Sequence, residues 1–173
     1  MCFSRIETIV ATLWGGPEIT MSHPSATPTP QWRAAPETLW RDVAVVIGRL
    51  IFAAVFILAA TFKFAGMEAT AGYIASAGFP FPLFLAWCAA IFEVLLILGF
   101  LTGAFFTEVC LLAAVYVLFL AFAFHGPSHW GSEPQQQAEF GFFVDHFTFI
   151  AGLLFAAAHG PGRWAVRRGL IGS

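Results

Sequence analysis

Five ionisable residues, Arg49, Glu93, Glu108, Asp145 and His146, interrupt stretches that are otherwise long and apolar enough to cross a membrane. A charge near the centre of a spanning helix costs about 2.5 to 3.5 kcal/mol on insertion scales, so it faces a partner, a cavity or a pathway rather than lipid. Glu93 and Asp145 are the candidates for proton handling, because a carboxylate shielded from bulk water can hold and release a proton near neutral pH. Arg49, Lys63, Glu108, His146 and Tyr116 are the candidates for a polar core or a ligand site, offering donors that could hold or polarise a ligand oxygen.

The elements that position them follow from composition. Of the 173 residues 59% are hydrophobic and 10% charged, too apolar for a soluble domain. Four stretches reach the length of about 20 residues that a span requires: roughly 43–63, 82–102, 104–124 and 141–159. Between the first two, GMEATAGYIASAGFPFP is too short and polar to cross. It predicts an interfacial helix over Glu68 to Ala77, stopped by Gly78 and by Pro80 and Pro82. The fold class is therefore all-α, an integral membrane four-helix bundle with a short interfacial helix between spans one and two. Residues 1–41 read as a disordered or interfacial N-terminal extension, 42–160 as the membrane domain and 161–173 as a basic tail. Met21, ahead of a Pro, Ser and Thr-rich run, is an alternative start to Met1.

Orientation follows from charge asymmetry. Six of the eight Arg and Lys residues flank the spans: Arg5, Arg33 and Arg41 before the first, Arg163, Arg167 and Arg168 after the last. The connection from His125 to Phe140 carries Glu133 and Glu139 and no Arg or Lys. The positive-inside rule then places both termini in the cytoplasm and that connection outside.

Spacing predicts which groups meet. Arg49, Ala53, Phe56, Ala60 and Lys63 recur at steps of 4, 3, 4 and 3, one inward-facing seam of span one. At 1.5 Å per residue, Arg49 lies about 10 Å and Glu93 about 13 Å from the cytoplasmic ends of their spans, so the two are expected to pair. Glu108, one turn lower, is within reach of the same guanidinium; such a cluster would be one charge short of neutral, with a proton on Glu93 or Glu108. Nearer the outer side, Lys63, Asp145 and His146, bordered by Glu68 and His125, form a second cluster. Asp145, Thr148, Gly152, Ala156 and His159 make a polar and small stripe that points Asp145 inward and turns His146, about 100° away, toward a neighbouring helix or a partner subunit. The competing reading is that these groups are interhelical glue, that Lys63 snorkels to the interface and that Glu108 is solvated.

Other chemistry is weakly signalled. Cys2, Cys88 and Cys110 show no C-x-x-C spacing, and the last two fall within spans. His125 and His129 are four apart, but Gly126 and Pro127 break the helix that would aim both at one metal, so no metal site is expected. There is no haem attachment motif, nucleotide loop or nucleophile elbow, no electron carrier is encoded, and no basic surface is left for nucleic acid. Of the 21 Phe residues, Phe56, Phe62, Phe92, Phe100 and Phe119 are candidates to line a groove for an isoprenoid or quinone ring.

The pattern resembles the DoxX family of small four-helix bacterial membrane proteins. It does so in Gly48-Arg49-Leu50, Phe56 and Lys63 of span one, the YIASAGFP stretch from Tyr73 to Pro80, Glu93 followed by Gly99, and Gly160-Pro161-Gly162-Arg163. The resemblance runs from about Val43 to Arg163. It departs from the family in the N-terminal extension, in Gly103 where a basic residue commonly follows span two, and in Asp145-His146. It implies a DoxX-like bundle; relatives are named as small subunits of quinol oxidase or thiosulfate:quinone oxidoreductase, or are linked to membrane redox-protection complexes. The resulting expectation is an accessory subunit of a redox assembly with a quinone or similar ligand between its helices. Arg49 would anchor a ligand oxygen, Glu93 would move protons, and Asp145 with Lys63 would form an outer gate. The alternatives are a non-catalytic membrane scaffold, or a proton or small-solute carrier that would need to form a homo-oligomer.

Overall fold

In a bilayer every backbone N–H and C=O must be satisfied within its own segment, and long apolar runs therefore fold as helices. The computed structural model describes residues 35–166 and Gly169. It contains α1 (Ala35–Ala65), α2 (Met67–Ser76), α3 (Pro82–Thr102), α4 (Phe106–His125), a 3-10 turn at Pro127–His129, and α5 (Gln135–His159). All but α2 and the short turn are long and apolar enough to cross a membrane. The chain is an all-helical membrane bundle, with α2 as the short helix between the first two spans. The N-terminal tail with Arg5 and Arg33, and Arg167 and Arg168 after α5, lie outside the described residues.

α3 matches its sequence-predicted bounds, as expected for a helix opened by Pro82 and closed by Gly103 at φ +73°. α5 begins six residues earlier than hydropathy suggests, at Gln135 rather than 141. Three glutamines and Glu139 carry no apolar signal, yet they are good helix formers and extend the helix beyond its apolar part. The connection before it shrinks accordingly.

α1 packs on α3 and α4 on α5, while α2 lies against α3. Large rings fill the space between the two pairs on the side where α1 begins and α5 ends, here the terminus side. Phe52 and Phe56 of α1 lie 5.4 and 5.8 Å from Phe100 of α3, and 5.2 and 5.9 Å from Phe149 of α5. Leu96, Leu153 and Cys110 complete this core. The opposite, loop side has a smaller core of Ala71, Ile74, Ala86 and Phe124, roofed by α2. The seam of α1 faces inward as its spacing requires: Arg49, Ala53, Phe56 and Ala60 are buried and Lys63 half-buried.

Candidate functional site

Small residues in the loop-side half leave a cavity of about 980 Å³ among α1, α2, α3, α4 and α5. Ala59, Ala69 and Ala89 keep its walls back, and Phe62, Phe79, Phe92, Phe119 and Phe124 line it with rings. Three of the five aromatic residues singled out in the sequence, Phe62, Phe92 and Phe119, are on this wall; Phe56 and Phe100 are instead buried in the terminus-side core.

One polar group sits at the cavity's edge. Lys63 Nζ lies 2.8 Å from Glu93 Oε1, and Tyr116 donates its hydroxyl to the same oxygen at 2.9 Å. Glu93 is only 1% exposed, and its second oxygen, Oε2, is buried with no hydrogen-bond partner. Lys63 and Tyr116 themselves line the cavity. A buried carboxylate is held here by one ammonium and one phenol, both of which also offer donors to anything entering the space.

This pairing corrects the expectation that Arg49 meets Glu93. Counting depth from a start near Val43, level with the end of α3, places Arg49 too high, because α1 begins at Ala35 and Arg49 sits beside Leu101, about 12 Å by rise from Glu93. Helical side chains also lean toward the N-terminus of their own helix. On α1 that direction is the terminus side, so Lys63 reaches inward to the level of Glu93 and Arg49 is carried past it. On antiparallel α3 the lean is opposite and tips Glu93 toward Lys63.

Arg49 consequently lands on main-chain oxygens. Its Nε donates to Phe100 O at 2.9 Å and Nη2 to Leu101 O at 2.7 Å, while Nη1 donates to Pro161 O at 3.3 Å and Trp164 O at 3.0 Å. Phe100 and Leu101 belong to the last turn of α3, where carbonyls lack helical partners and the helix dipole is negative. The segment after α5 is drawn over the same end, with Val166 N donating to Thr102 O at 2.9 Å. Gly103 makes this approach feasible, because a Cβ there would run into Ala165 and the Arg49 guanidinium. Arg49 is thus a clamp that closes one end of the bundle. Glu108 lies partly buried in the first turn of α4, a position where the helix dipole favours a carboxylate.

The outer cluster is also rearranged. Asp145, expected to point inward, is exposed, and His146, expected to turn toward a neighbouring helix or a partner subunit, faces α4 and lines the cavity. The small and polar stripe of α5 misled because Asp145, Thr148 and His159 are all exposed. A second stripe of α5, Glu139, Phe143, His146, Ile150, Leu153 and Ala157, spaced 4-3-4-3-4, is partly or fully buried, and Phe149 packs inward beside it. His146 donates its Nδ1–H to Phe142 O at 2.6 Å, since a carbonyl can only accept. Its ring lies 5.0 Å from that of His125, whose Nδ1 is 2.8 Å from Glu139 Oε2. Tyr73 of α2 completes this mouth, its phenol pushed up from the ordinary range by burial and further by the charge of Glu139. Glu68 is exposed and apart. His129 turns to Ser128 at 3.1 Å, and among the described residues no three His, Cys, Asp or Glu gather as a metal site.

Reasoning from the sequence missed Cys88, Tyr73 and the α2 wall as parts of the cavity. Cys88 is exposed to the cavity as a free thiol, whereas Cys110 is fully buried in the core.

No curated protein and no solved structure matches the chain. A family model does: DoxX, over residues 44–126, the stretch that supplies Arg49, Lys63, Glu93 and Tyr116 and stops short of α5. Through that segment, just under half of the sequence, this four-span chain matches the DoxX family.

Proposed function

We propose that the protein is a membrane subunit of a redox assembly and holds a quinone, or a comparable lipophilic ring, in the loop-side cavity. The observation that carries this reading is the coincidence of an aromatic-lined space with Lys63 and Tyr116 on its wall, both bonded to the buried carboxylate of Glu93 behind them. Apolar walls supply most of the affinity for such a ring, and a few placed donors orient it. Lys63 and Tyr116 serve as donors to a ring oxygen. Glu93 accepts or returns the proton that accompanies reduction or oxidation of the ring, and its unpartnered Oε2 is where that proton is held. Electrons come from a soluble or membrane partner, because the chain encodes no carrier of its own. A bacterial inner membrane with both ends cytoplasmic suits the placement of the arginines.

A scaffold role is the second reading, favoured by the way Lys63, Glu93 and Tyr116 satisfy one another and by the commitment of Arg49 to main-chain carbonyls.

Lipid extraction of the protein purified in mild detergent separates the two. Recovery of bound quinone, and its loss when Ala89→Phe fills the cavity, is the expected result; quinone-free protein that does not take up an added short-chain quinone favours the scaffold. Glu93→Gln tests the proton role, since an amide keeps the hydrogen bonds and cannot release a proton near neutral pH. The variant is expected to insert and fold while abolishing quinone-linked turnover of the assembly. Full turnover in a well-expressed Glu93→Gln protein would remove Glu93 from the chemistry.

A further inference from the structure

The terminus side carries a second recess that the proposed function does not use. It is a crevice of about 480 Å³ between α1 and α5. Gly48 on one helix and Gly152 and Ala156 on the other keep it open, with Phe52 and Phe155 as apolar sides. A narrow apolar slot between two spans fits a single hydrocarbon chain. Its rim is different in kind. Arg41 lies about 12 Å toward the terminus side from Arg49, at 1.5 Å per residue, and His159 is the last residue of α5. Both side chains line the crevice from opposite helices and both are exposed. Neighbouring Asp42 is engaged by Arg163 at 2.9 Å, whereas Arg41 forms no ion pair among the described residues.

We propose that this crevice binds an anionic phospholipid, one acyl chain lying between Gly48 and Gly152 and the phosphate held between Arg41 and His159. The charge at the rim selects the headgroup, the apolar slot selects a lipid over a free anion, and a membrane supplies the occupant. Basic pockets between spans are where such headgroups are recognised.

Gly48 gives a clean block. A Cβ at that position meets nothing within 4 Å, so a leucine side chain there starts into open space on the crevice wall. It also replaces the least helix-favouring residue apart from proline. The protein, exchanged in detergent with phosphatidylglycerol or with phosphatidylcholine, is examined by native mass spectrometry for retained lipid. The wild type is expected to retain phosphatidylglycerol over phosphatidylcholine by about fivefold or more. Arg41→Gln combined with His159→Gln should abolish the preference, and Gly48→Leu should abolish retention of both lipids. Equal retention in the wild type, or a preference that survives the double substitution, would overturn the proposal. So would displacement by millimolar inorganic phosphate together with undiminished retention in Gly48→Leu, which would mark a free-phosphate site. Should Gly48→Leu fail to insert, the double variant decides alone, because both of its side chains are exposed.

Discussion

Arg49 and Lys63 lie on one seam of α1, about 21 Å apart at 1.5 Å per residue, and their surroundings are opposite. On the terminus side the space between the helix pairs is filled by Phe52, Phe56, Phe100, Phe106 and Phe149, and the cation there is consumed by four main-chain oxygens. On the loop side alanines replace those rings, α2 roofs the gap, and the cation faces a carboxylate at the edge of a cavity. Carbonyl acceptors cannot exchange protons, and they hold the guanidinium even though it borders the crevice between α1 and α5. The difference teaches that an intramembrane charge is not by itself a functional marker: what it touches separates a clamp from a candidate site.

Substitutions on the two sides should therefore behave differently. The largest effect is expected for Arg49→Leu, which strands the last carbonyls of α3 and those of the segment after α5. At about 1 to 3 kcal/mol for each buried group left unpaired, the loss should be on the order of 4 kcal/mol, read as a fall in the detergent unfolding midpoint. A wild-type midpoint in that variant would break the comparison from the terminus side.

Next come Glu93→Leu and Lys63→Leu. Each alone leaves an uncompensated charge and should cost about 3 kcal/mol, whereas the double variant should cost clearly less than the sum. Simple additivity in the same unfolding assay would mean that the pair is not coupled. Arg49→Leu with Glu93→Leu, by contrast, should add, because the two groups do not share a partner.

Gly103→Ala is expected to cost about 1 to 2 kcal/mol, from a positive φ and from collision with Ala165 and Arg49. It should loosen the segment after α5, seen as faster hydrogen exchange at Val166, and leave the cavity unaffected. The smallest effect belongs to Asp145→Asn. An exposed side chain outside the cavity should change stability by no more than about 0.5 kcal/mol and leave any ligand affinity unaltered. His146→Phe, which alters the cavity wall itself, should change ligand affinity instead. A reversal of those two results would restore Asp145 as part of the site.

Much of the architecture was legible without coordinates. Long apolar runs bounded by Pro82, Gly103 and Gly160 could only be spanning helices, since lipid leaves the backbone no other way to satisfy itself. The α1 seam was readable for the same reason, because a 4-3-4-3 spacing puts residues on one face whatever the neighbours are. Of the residues singled out in the sequence, Lys63, Tyr116 and His146 line the cavity, and Glu93 is bonded to the first two.

What the sequence left undecided was pairing. Depth counted from assumed span ends put Arg49 opposite Glu93, yet α1 begins at Ala35 and Arg49 lies level with the end of α3, so Lys63, leaning back toward the terminus side, takes the carboxylate. Nor could spacing choose between two stripes on α5, because polarity in a span signals either an inward site or an interfacial position, and only the packing of α5 on α4 turned His146 inward and left Asp145 exposed. The cavity itself is a property of volume. Which half is filled depends on how far α2 and the small residues of α1 and α3 hold the helices apart, and that sum over many side chains is settled only when all the elements are in place.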